Sequence, residues 1–377
     1  MTAGDHELIT TPPALAAFVA AARAAPPVGV DTEAASFHKH RDRIYLVQAA
    51  AAGRAAIIDP LALSDLSPVG ALLADRGVEK IFHDADYDLR VLDRDYGFRA
   101  TRLWDTRIAA QLAGEPAIGL GALLEKYAGV KLAKAHQKAD WSQRPLSAGM
   151  LAYAADDVRH LPALRDALAE RLRALARLAW AEEEFTRLEN LRWSGPGEGE
   201  EAWLRIKGAK HLPPRQGAAL RELVAWRESV AAIEDKALFR IIGNEQLVAV
   251  AKTLPQDADA LGRIKELPRS LAQRHGPALL DAVAIAVALR EDELPRIERG
   301  PRVPRDRDLE ERVERLKAAR NTAAAALGLD PGVLCGRVAL EAVARARPAD
   351  RAALARVEEL RRWQVEVLGD VLLKTLA

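Results

Sequence analysis

The stretch GVDTEAASF, residues 29–37, places two carboxylates one residue apart, directly after an apolar run. Side chains alternate between the two faces of a β-strand, so Asp31 and Glu33 face the same side if the stretch is extended. Two like charges side by side on one strand face repel each other unless a positive group lies between them. The stretch therefore predicts a strand that ends in an acidic pair, with either solvent or a cation beside it.

The residues around this stretch alternate between short apolar runs and helical patterns. Runs typical of strands are VGVDTEA (28–34), RIYLVQAA (43–50), RAAIIDP (54–60) and EKIFHD (79–84). Helical patterns follow at SDLSPVGALLAD (64–75) and DYDLRVLDRDYG (86–97). Sequential strands with helices interleaved after them predict an α/β domain with a mixed sheet. From about Leu103 onward, the pattern predicts helices alone.

The composition is typical of a globular chain with more than one domain. The 377 residues are 49% apolar and 29% charged, with a net charge of +1, and this length predicts two or three domains. A net charge near zero neither favours nor excludes a nucleic-acid partner, because it is compatible with a local basic groove.

The expected location follows from the cysteine count and the N-terminal residues. A single cysteine, Cys335, excludes a disulfide within the chain and favours a reducing compartment. The apolar stretch 14–24 is preceded by acidic rather than basic residues and is interrupted by Arg23, unlike a signal peptide. Thr11 followed by two prolines instead indicates a helix start. Since no apolar run reaches the length of a membrane span, we expect a cytoplasmic protein without a membrane segment.

Two later regions are helical and related to each other. LVAVAKTLPQDADALGRIKEL (247–267) and LEAVARARPADRAALARVEEL (340–360) share eleven of twenty-one positions at an offset of 93 residues. This similarity predicts two copies of one small helical module. Breaks rich in Gly, Glu and Pro lie at 193–203 and 293–308. The predicted domains are 1–192, 213–292 and 308–377, with linkers at 193–212 and 293–307.

Further acids lie where they can join the pair on the first strand. In YAADDVRHL (153–161), Tyr153 and Asp157 are one helical turn apart, whereas Asp156 is rotated by about 100° from Asp157. In HDADYDLRVL (83–92), acids lie just past a strand, at the start of a predicted helix. Periodicity does not choose among the three acids of that segment, Asp84, Asp86 and Asp88.

Four converging carboxylates would raise one another's pKa and destabilise the fold unless cations bind them. Oxygen ligands without a His–Cys cluster suit Mg²⁺ or Mn²⁺ rather than zinc. Two such ions, roughly 3.5–4 Å apart, clamp the attacking and leaving oxygens of a phosphodiester displacement. The sequence therefore predicts a two-metal site over Asp31 and Glu33, with a solvated acidic pair as the alternative.

This set of residues resembles the DEDD superfamily of 3′→5′ exonucleases, in the subgroup with tyrosine in the third motif. The three motifs are D-T-E at 31–33, H-x-x-x-Y-D at 83–88 and Y-x-x-x-D at 153–157. Within that superfamily the chain resembles the ribonuclease D family. The segments similar to that family are LWDTRIAAQLAG (103–114), GALLEKYAGVKL (121–132) and HQKADWSQRPL (136–146).

The repeated helical module resembles the HRDC domain, the C-terminal fold of helicases and ribonuclease D. WRESVA (226–231) and DKALFRII (235–242) fit its first copy, whereas the second copy lacks the Trp-Arg pair. The resemblance implies an α/β exonuclease domain, with a ribonuclease H-like mixed sheet and flanking helices. Two all-α HRDC-like helical domains would follow it.

The resemblance also implies a role for each residue of the motifs. Metal ligands would be Asp31, Glu33, Asp88 and Asp157, with Asp31 bridging two divalent cations. Asp88 is preferred over its neighbours on the family pattern. Tyr153 would orient or deprotonate the attacking water. Because a free tyrosine has a pKa near 10, orientation is as credible as base catalysis.

Contacts to the substrate are expected from a second group of residues. The backbone around Thr32 and the side chains of His83 and Tyr87 would contact the terminal nucleotide. Trp141 and Arg144 have two interpretations. They either stack on or pair with a substrate strand, or they brace the helix of the third motif.

Other polar residues have both structural and functional interpretations. The basic loop His38–Arg43 is either a solvated hairpin turn or a phosphate contact. Asp105 is typical of a helix N-cap and Cys335 of a small core residue. Basic residues of the helical regions form either a solvated face or an accessory RNA-binding surface; they include Arg205, Lys207, Lys210 and Arg215.

The sequence thus predicts a metal-dependent 3′→5′ exoribonuclease that acts on RNA with a free 3′ end. The resemblance implies precursor tRNA as the substrate class, and we expect a monomer. One alternative is an exonuclease acting on DNA, because the same metal site serves both substrates. Another is a catalytically inactive RNA-binding scaffold.

Overall fold

The structure is a computed structural model that describes residues 6–133, 135–195, 201–296 and 306–377. It divides into two compact units. The first unit contains the described residues of 6–33 and 44–193, together with the C-terminal residues from 306 onward. The second contains residues 34–43 and the described residues between 194 and 296. No helix within these ranges is long and apolar enough to cross a membrane.

A six-stranded sheet organises the first unit. Its strands are β1 (His6–Ile9), β2 (Val28–Ala34), β3 (Ile44–Ala51), β4 (Arg54–Ile58), β5 (Lys80–Phe82) and β6 (Leu103–Asp105). The spatial order is β1-β4-β3-β2-β5-β6. The pairs β1–β4, β2–β5 and β5–β6 are parallel, whereas β3–β4 is antiparallel. The predicted mixed sheet is therefore confirmed. All eight residues of β3 are buried, which explains its nearly uninterrupted apolar sequence.

Helices flank the sheet and form the two helical modules. Those of the sheet domain are α1 (Pro12–Ala24), α2 (Ser67–Ala74), α3 (Asp86–Tyr96), α4 (Thr106–Leu112), α5 (Leu120–Ala128), α6 (Ala148–Arg159), α7 (Leu161–Ala174) and α8 (Leu178–Leu188). Those of the first module are α9 (Pro214–Glu234), α10 (Leu238–Ile241), α11 (Asn244–Thr253), α12 (Ala258–Gly262) and α13 (Arg269–Ala288). Those of the second are α14 (Arg307–Leu327), α15 (Pro331–Leu334), α16 (Arg337–Ala346), α17 (Arg351–Leu354) and α18 (Arg362–Leu376).

Two strands differ from the sequence prediction. The sequence predicts helix from Leu103 onward, but residues 103–105 pair with β5 and form β6. Asp105 then caps α4, because its side chain accepts hydrogen bonds from the backbone N–H groups of Arg107 and Ile108. The N-cap prediction is confirmed, and the helix starts three residues later than expected. Strand β1 is missing from the prediction because four residues, two of them polar, give little periodic signal.

The two helical modules repeat each other down to single contacts. Helix α9 begins at Pro214 and α14 at Arg307, 93 residues later, and the other four helices begin at the same offset. Asp257 caps α12 and Asp350 caps α17, each accepting from the N–H three residues onward. The predicted internal repeat is therefore confirmed.

An arginine of the first module has its counterpart in the second. Arg227 is buried and donates to the carbonyl of Ile242, and Arg320 donates to the carbonyl of Cys335 in the same way. The sequence comparison assigned no Trp-Arg pair to the second copy. Only the tryptophan is missing, because the arginine is retained as Arg320. Cys335 is fully buried, as predicted for a core residue.

Part of the stretch predicted as a linker is packed in a core. Trp203, Ile206 and Leu212 are buried among the helices of the first module. Residues 196–200 and 297–305, which belong to the two predicted linkers, lie outside the described residues. The domain boundaries themselves remain predictions.

The basic loop between strands β2 and β3 contacts acids of the first helical module. Lys39 Nζ lies 2.8 Å from the Asp235 carboxylate, and His40 Nε2 lies 3.2 Å from that of Glu228. The backbone N–H of Ala237 donates to the carbonyl of His38. The sequence analysis interpreted this loop as a solvated hairpin turn or a phosphate contact. Neither interpretation includes these contacts, because they join segments about 190 residues apart in the chain.

Within the first unit, the second helical module shares one apolar core with helices α4 to α8. Arg177, only 7% exposed, joins the two parts. Its guanidinium donates to the carbonyl of Leu112 at the end of α4, at 2.9 Å, and to that of Leu327 at the end of α14, at 2.6 Å. It also lies over the Trp180 ring, 5.3 Å from the ring centroid, within the reach of about 6 Å of a cation–π contact.

We expect Arg177→Ala to lower the free energy of unfolding by about 2–4 kcal/mol, because two carbonyls lose a charged donor. Urea unfolding of the full chain measures this change. Arg173→Ala, an exposed arginine one turn earlier, is the matched control and is expected to stay within about 0.5 kcal/mol of the parent. Equal unfolding curves for the two variants would show that Arg177 does not hold the parts together.

Candidate active site

Strand β2 and helix α6 bring three carboxylates together. Asp31 and Glu33 project from the same face of β2, as their spacing predicts, and Asp157 projects from α6. One carboxylate oxygen from each lies within 4.8 Å of the other two. All three side chains are partly buried. The solvated edge that the sequence left as an alternative does not describe this arrangement.

A glycine permits β2 and α6 to approach this closely. A Cβ atom on Gly29 would lie 2.8 Å from the carbonyl oxygen of Val158 and 3.2 Å from the Cβ of Leu161. Both distances are shorter than ordinary van der Waals contact, and the first involves backbone that cannot rotate away. Gly29 therefore sets the spacing between Asp31 and Asp157. The sequence analysis missed this role, although a glycine inside a strand is a known sign of close backbone approach.

The second motif contributes a carboxylate beside the three. Asp88 lies in the first turn of α3, is 6% exposed, and accepts a hydrogen bond of 2.5 Å from Thr32 Oγ1. It is not among the three carboxylates that lie within 4.8 Å of one another. This hydrogen bond from Thr32, which lies between Asp31 and Glu33, ties strand β2 to helix α3.

The competing acids of the second and third motifs are paired with arginines. The Asp84 carboxylate lies 2.5 Å from Arg107, and that of Asp86 lies 2.7 Å from Arg90. Asp156, next to Asp157, lies 3.6 Å from Arg159. These ion pairs are partly exposed, whereas Asp157 is one of the three clustered carboxylates and Asp88 lies close enough to raise the pKa of Asp31. The geometry thus favours the two acids that the motif pattern prefers.

The acidic cluster has strongly perturbed protonation. Burial, reinforced by the neighbouring carboxylates, raises the pKa of Glu33 to about 9 and that of Asp31 well above its usual range. Burial also raises the pKa of Asp88 to about 7, although the Thr32 hydrogen bond opposes the shift. The pKa of Asp157 rises to about 7 for the same leading reason. The protein alone therefore holds protons here that a cation would displace.

The donor set fits a hard divalent cation. It consists of carboxylate oxygens at mutual distances that one ion can bridge. Among the described residues, no arginine or lysine contributes to the pKa shifts of Asp31 and Glu33, so no positive side chain compensates their charge. Asp31, Glu33 and Asp157 would hold such an ion, and Asp88 lies close enough to raise the pKa of Asp31 by charge repulsion. A bound divalent ion supplies Lewis-acid activation of water and stabilises the leaving oxygen.

Tyr153 belongs to the same cluster. Its hydroxyl is hydrogen-bonded to the Asp157 carboxylate, and burial together with the charges of Asp157 and Glu33 raises its pKa above the ordinary value. The phenol therefore keeps its proton at neutral pH and acts as a hydrogen-bond donor. Of the two roles weighed for Tyr153, this geometry favours orientation over deprotonation.

Comparison with known proteins agrees with this site. Residues 6–173 match the 3′-5′ exonuclease family, and residues 216–283 and 310–376 match the HRDC domain. Ribonuclease D of Gluconacetobacter diazotrophicus is 36% identical over 304 residues, which cover 80% of this chain and 77% of that protein. Ribonuclease D of Escherichia coli is 35% identical, with 77% of each chain covered. The chain belongs to the ribonuclease D family.

Solved structures extend the similarity to ribonuclease D over almost the whole chain. The crystal structure of E. coli RNase D, described as an exoribonuclease involved in structured RNA processing, is 28% identical. It matches with a TM-score of 0.69 and covers 99% of this chain and 98% of that one. The catalytic core of RRP6 from Trypanosoma brucei is 25% identical, with a TM-score of 0.65, covering 75% of this chain and 80% of that one.

These findings confirm the predicted fold and activity class. The chain has the ribonuclease D arrangement of a 3′→5′ exonuclease domain followed by two HRDC domains. It is a 3′→5′ exoribonuclease that uses a divalent metal, and its partner is RNA.

Beside the carboxylates of this ribonuclease D site lies an open cleft of about 800 Å³. That volume is ample for a nucleotide-sized ligand. Its lining includes His83 and four polar residues that the sequence analysis did not single out: Arg107, Glu125, Lys131 and Gln137. Sequence periodicity could not identify Lys131 and Gln137 as lining residues, because both lie in irregular segments.

Two residues expected to contact the substrate have the packing of braces. Trp141 is 1% exposed, so neither face of its indole is open to a base, and its ring packs 6.1 Å from that of Tyr153. Arg144 forms two hydrogen bonds of 2.7 Å with the buried Asp59 carboxylate and another with the carbonyl of Tyr45. The sequence left both roles open; the burial of Trp141 and the hydrogen bonds of Arg144 favour bracing.

The other substrate candidates differ in exposure. Tyr87 is 46% exposed on α3. Among the basic residues of the helical region, Arg215 donates to the carbonyls of Ala286, Val287 and Leu289. It therefore caps the C-terminal end of α13 and does not belong to a solvated face. Arg205, Lys207 and Lys210 are exposed.

Proposed function

We propose that this ribonuclease D trims RNA one nucleotide at a time from the 3′ end, with precursor tRNA as its substrate class. Two ions, Mg²⁺ or Mn²⁺, would be held by Asp31, Glu33, Asp88 and Asp157. The observation that supports this most is the convergence of three carboxylates at one edge of an open cleft.

Each residue has a defined task in this proposal. Asp31, Glu33 and Asp157 would hold one cation, which would supply activation of the attacking water. Asp88, kept in place by Thr32, supports the second cation. Tyr153 orients the water with its protonated hydroxyl while hydrogen-bonded to Asp157. No residue needs to form a covalent bond with the phosphate, because the charge that develops on it is stabilised electrostatically.

The test is a time course on a 5′-labelled precursor tRNA with a 3′ trailer, beside unstructured RNA and DNA of equal length. Reactions contain Mg²⁺, Mn²⁺ or EDTA. We expect a ladder that shortens from the 3′ end of RNA, stops near the mature tRNA end and disappears with EDTA. Equal or faster trimming of DNA would support the DNA alternative. RNA binding without trimming in any metal would support the scaffold alternative.

The proposed monomer in the cytoplasm rests on the sequence. Its one cysteine is buried, and burial raises the pKa of the Cys335 thiol to about 11, so this thiol is not a candidate for pairing with another chain. Light scattering on the purified protein tests the monomer, and a mass of twice 41.0 kDa would contradict it.

A further inference from the structure

His83 occupies a position in the cleft that the proposed chemistry does not use. It follows strand β5 directly, and its ring lines the cleft together with Asp31, Tyr153 and Asp157. The metal ligands account for the phosphate end of the substrate. They give no reason for a histidine at the cleft wall, and they do not distinguish RNA from DNA.

The hydrogen bonds around His83 fix which ring nitrogen carries the proton. Nδ1 lies 2.8 Å from Thr106 Oγ1, and that hydroxyl also lies 3.1 Å from the carbonyl oxygen of Phe82. A carbonyl oxygen only accepts, so the single hydroxyl proton of Thr106 is donated to Phe82. Both contacts are then hydrogen bonds only if His83 Nδ1–H donates to Thr106.

The proton on Nδ1 leaves Nε2 as an acceptor. Burial lowers the pKa of His83 to about 4, so the ring carries one proton at neutral pH and Nε2 has a lone pair. Thr106 is fully buried, so the arrangement is held from within the fold. Within the described part of the chain, Nε2 has no hydrogen-bond donor and is not enclosed by protein.

An acceptor at this position selects for a ligand that carries a hydrogen-bond donor. Phosphate oxygens have no proton to give at neutral pH, whereas each hydroxyl of a ribose donates. We propose that His83 Nε2 accepts a hydrogen bond from a hydroxyl of the 3′-terminal ribose; if that hydroxyl is the 2′-OH, which DNA lacks, His83 is a specificity-determining residue for RNA. Thr106 is a positioning residue that holds the ring in this tautomer. This inference rests on the proposed function.

The kinetic test compares three RNA substrates that differ only in the terminal nucleotide: all-ribose, 2′-deoxy and 3′-deoxy. We expect His83→Phe, which keeps a ring but has no acceptor, to slow trimming of the all-ribose substrate about tenfold. One of the deoxy substrates should be trimmed equally by the two proteins, because it lacks the donor. The hydroxyl missing from that substrate is the one that His83 binds.

Three further variants separate specificity from damage to the fold. Thr106→Val removes the acceptor for Nδ1–H and should reduce the preference for all-ribose RNA, whereas Thr106→Ser keeps the hydroxyl and should restore it. His6→Phe, on the edge strand β1, is the matched control and should leave all three rates unchanged. Equal losses by His83→Phe on all three substrates would overturn the proposal.

The tautomer can be checked without any nuclease activity. In a sample labelled with ¹⁵N-histidine, the His83 signals are those absent from His83→Phe. We expect the pattern of a neutral ring with the proton on Nδ1 at pH 7. A proton on Nε2 would overturn the inference about His83 even if the protein trims RNA. Failure of the parent to trim RNA with any metal would instead overturn the proposed function.

Discussion

Asp31→Asn should lower the rate of RNA trimming by about 10³-fold or more at saturating Mg²⁺, while making the metal-free protein more stable. Asn has the shape of Asp but no charge. In the proposed site, Asp31 is the carboxylate shared by both cations, so its loss removes the charge that holds them. The metal-free protein gains because one of several repelling carboxylates has become neutral.

The effect on stability follows from the pKa shifts of the clustered carboxylates. Free Asp and Glu titrate near pH 4 in the unfolded chain, whereas the folded protein has a pKa of about 9 for Glu33 and about 7 for Asp88 and Asp157. The folded state therefore binds more protons between these values. The stabilisation of the folded state by these bound protons is fully present below about pH 4. It is lost as the pH rises through 7 and 9.

The measurement is thermal unfolding from pH 5 to pH 9 in EDTA and in Mg²⁺. The parent should lose stability in EDTA as the pH rises and recover it in Mg²⁺, because a cation that binds only the folded state stabilises it. In Asp31→Asn, both the pH dependence and the recovery should be smaller. Activity is measured on the same samples.

Asp156→Asn is the matched control for this experiment. Asp156 is adjacent to the cluster in sequence but is paired with Arg159 on a partly exposed face. We expect trimming within about twofold of the parent, because an exposed ion pair contributes little. If Asp31→Asn kept a tenth of the parental rate, or if the metal-free parent became more stable with rising pH, the proposed cluster would be wrong.

The parts of this site that the sequence could predict are those set by local periodicity. The period of a strand places Asp31 and Glu33 on one face, and the period of a helix places Tyr153 and Asp157 one turn apart. The structure contains both arrangements. The helical modules were predictable for a similar reason, since a repeat at constant offset is visible without knowing the fold.

What the sequence could not supply are contacts between distant segments. The Thr32–Asp88 hydrogen bond joins residues 56 positions apart, and the Arg144–Asp59 pair joins residues 85 apart. The acceptor role of His83 depends on Thr106, 23 residues later, the first residue of helix α4 directly after strand β6. Burial of Trp141 likewise depends on the packing around it, and aromatic residues are common both in cores and at nucleic-acid sites.

Gly29→Ala should lower the rate of trimming by about 10²-fold with little change in RNA binding. The added Cβ would meet the carbonyl of Val158 at 2.8 Å, so helix α6 must move away from strand β2. Asp157 precedes Val158 and moves with it, which separates its carboxylate from Asp31 and Glu33. A displacement of about 1 Å is enough for a loss of this size, because the reaction depends on the relative positions of its charged groups.

The experiment measures kcat and KM for Gly29→Ala beside Gly262→Ala, whose added Cβ has no atom within 4 Å. The control should keep the parental rate. Because the clash also strains the fold, a cost of about 1–3 kcal/mol is expected, and assays are run well below the melting temperature of the variant. Displacement of Asp157 predicts a fall in kcat and a weaker stabilisation by Mg²⁺, with KM nearly constant. A raised KM at constant kcat would place the effect on RNA binding instead, and Gly29 would then not set the spacing of the carboxylates.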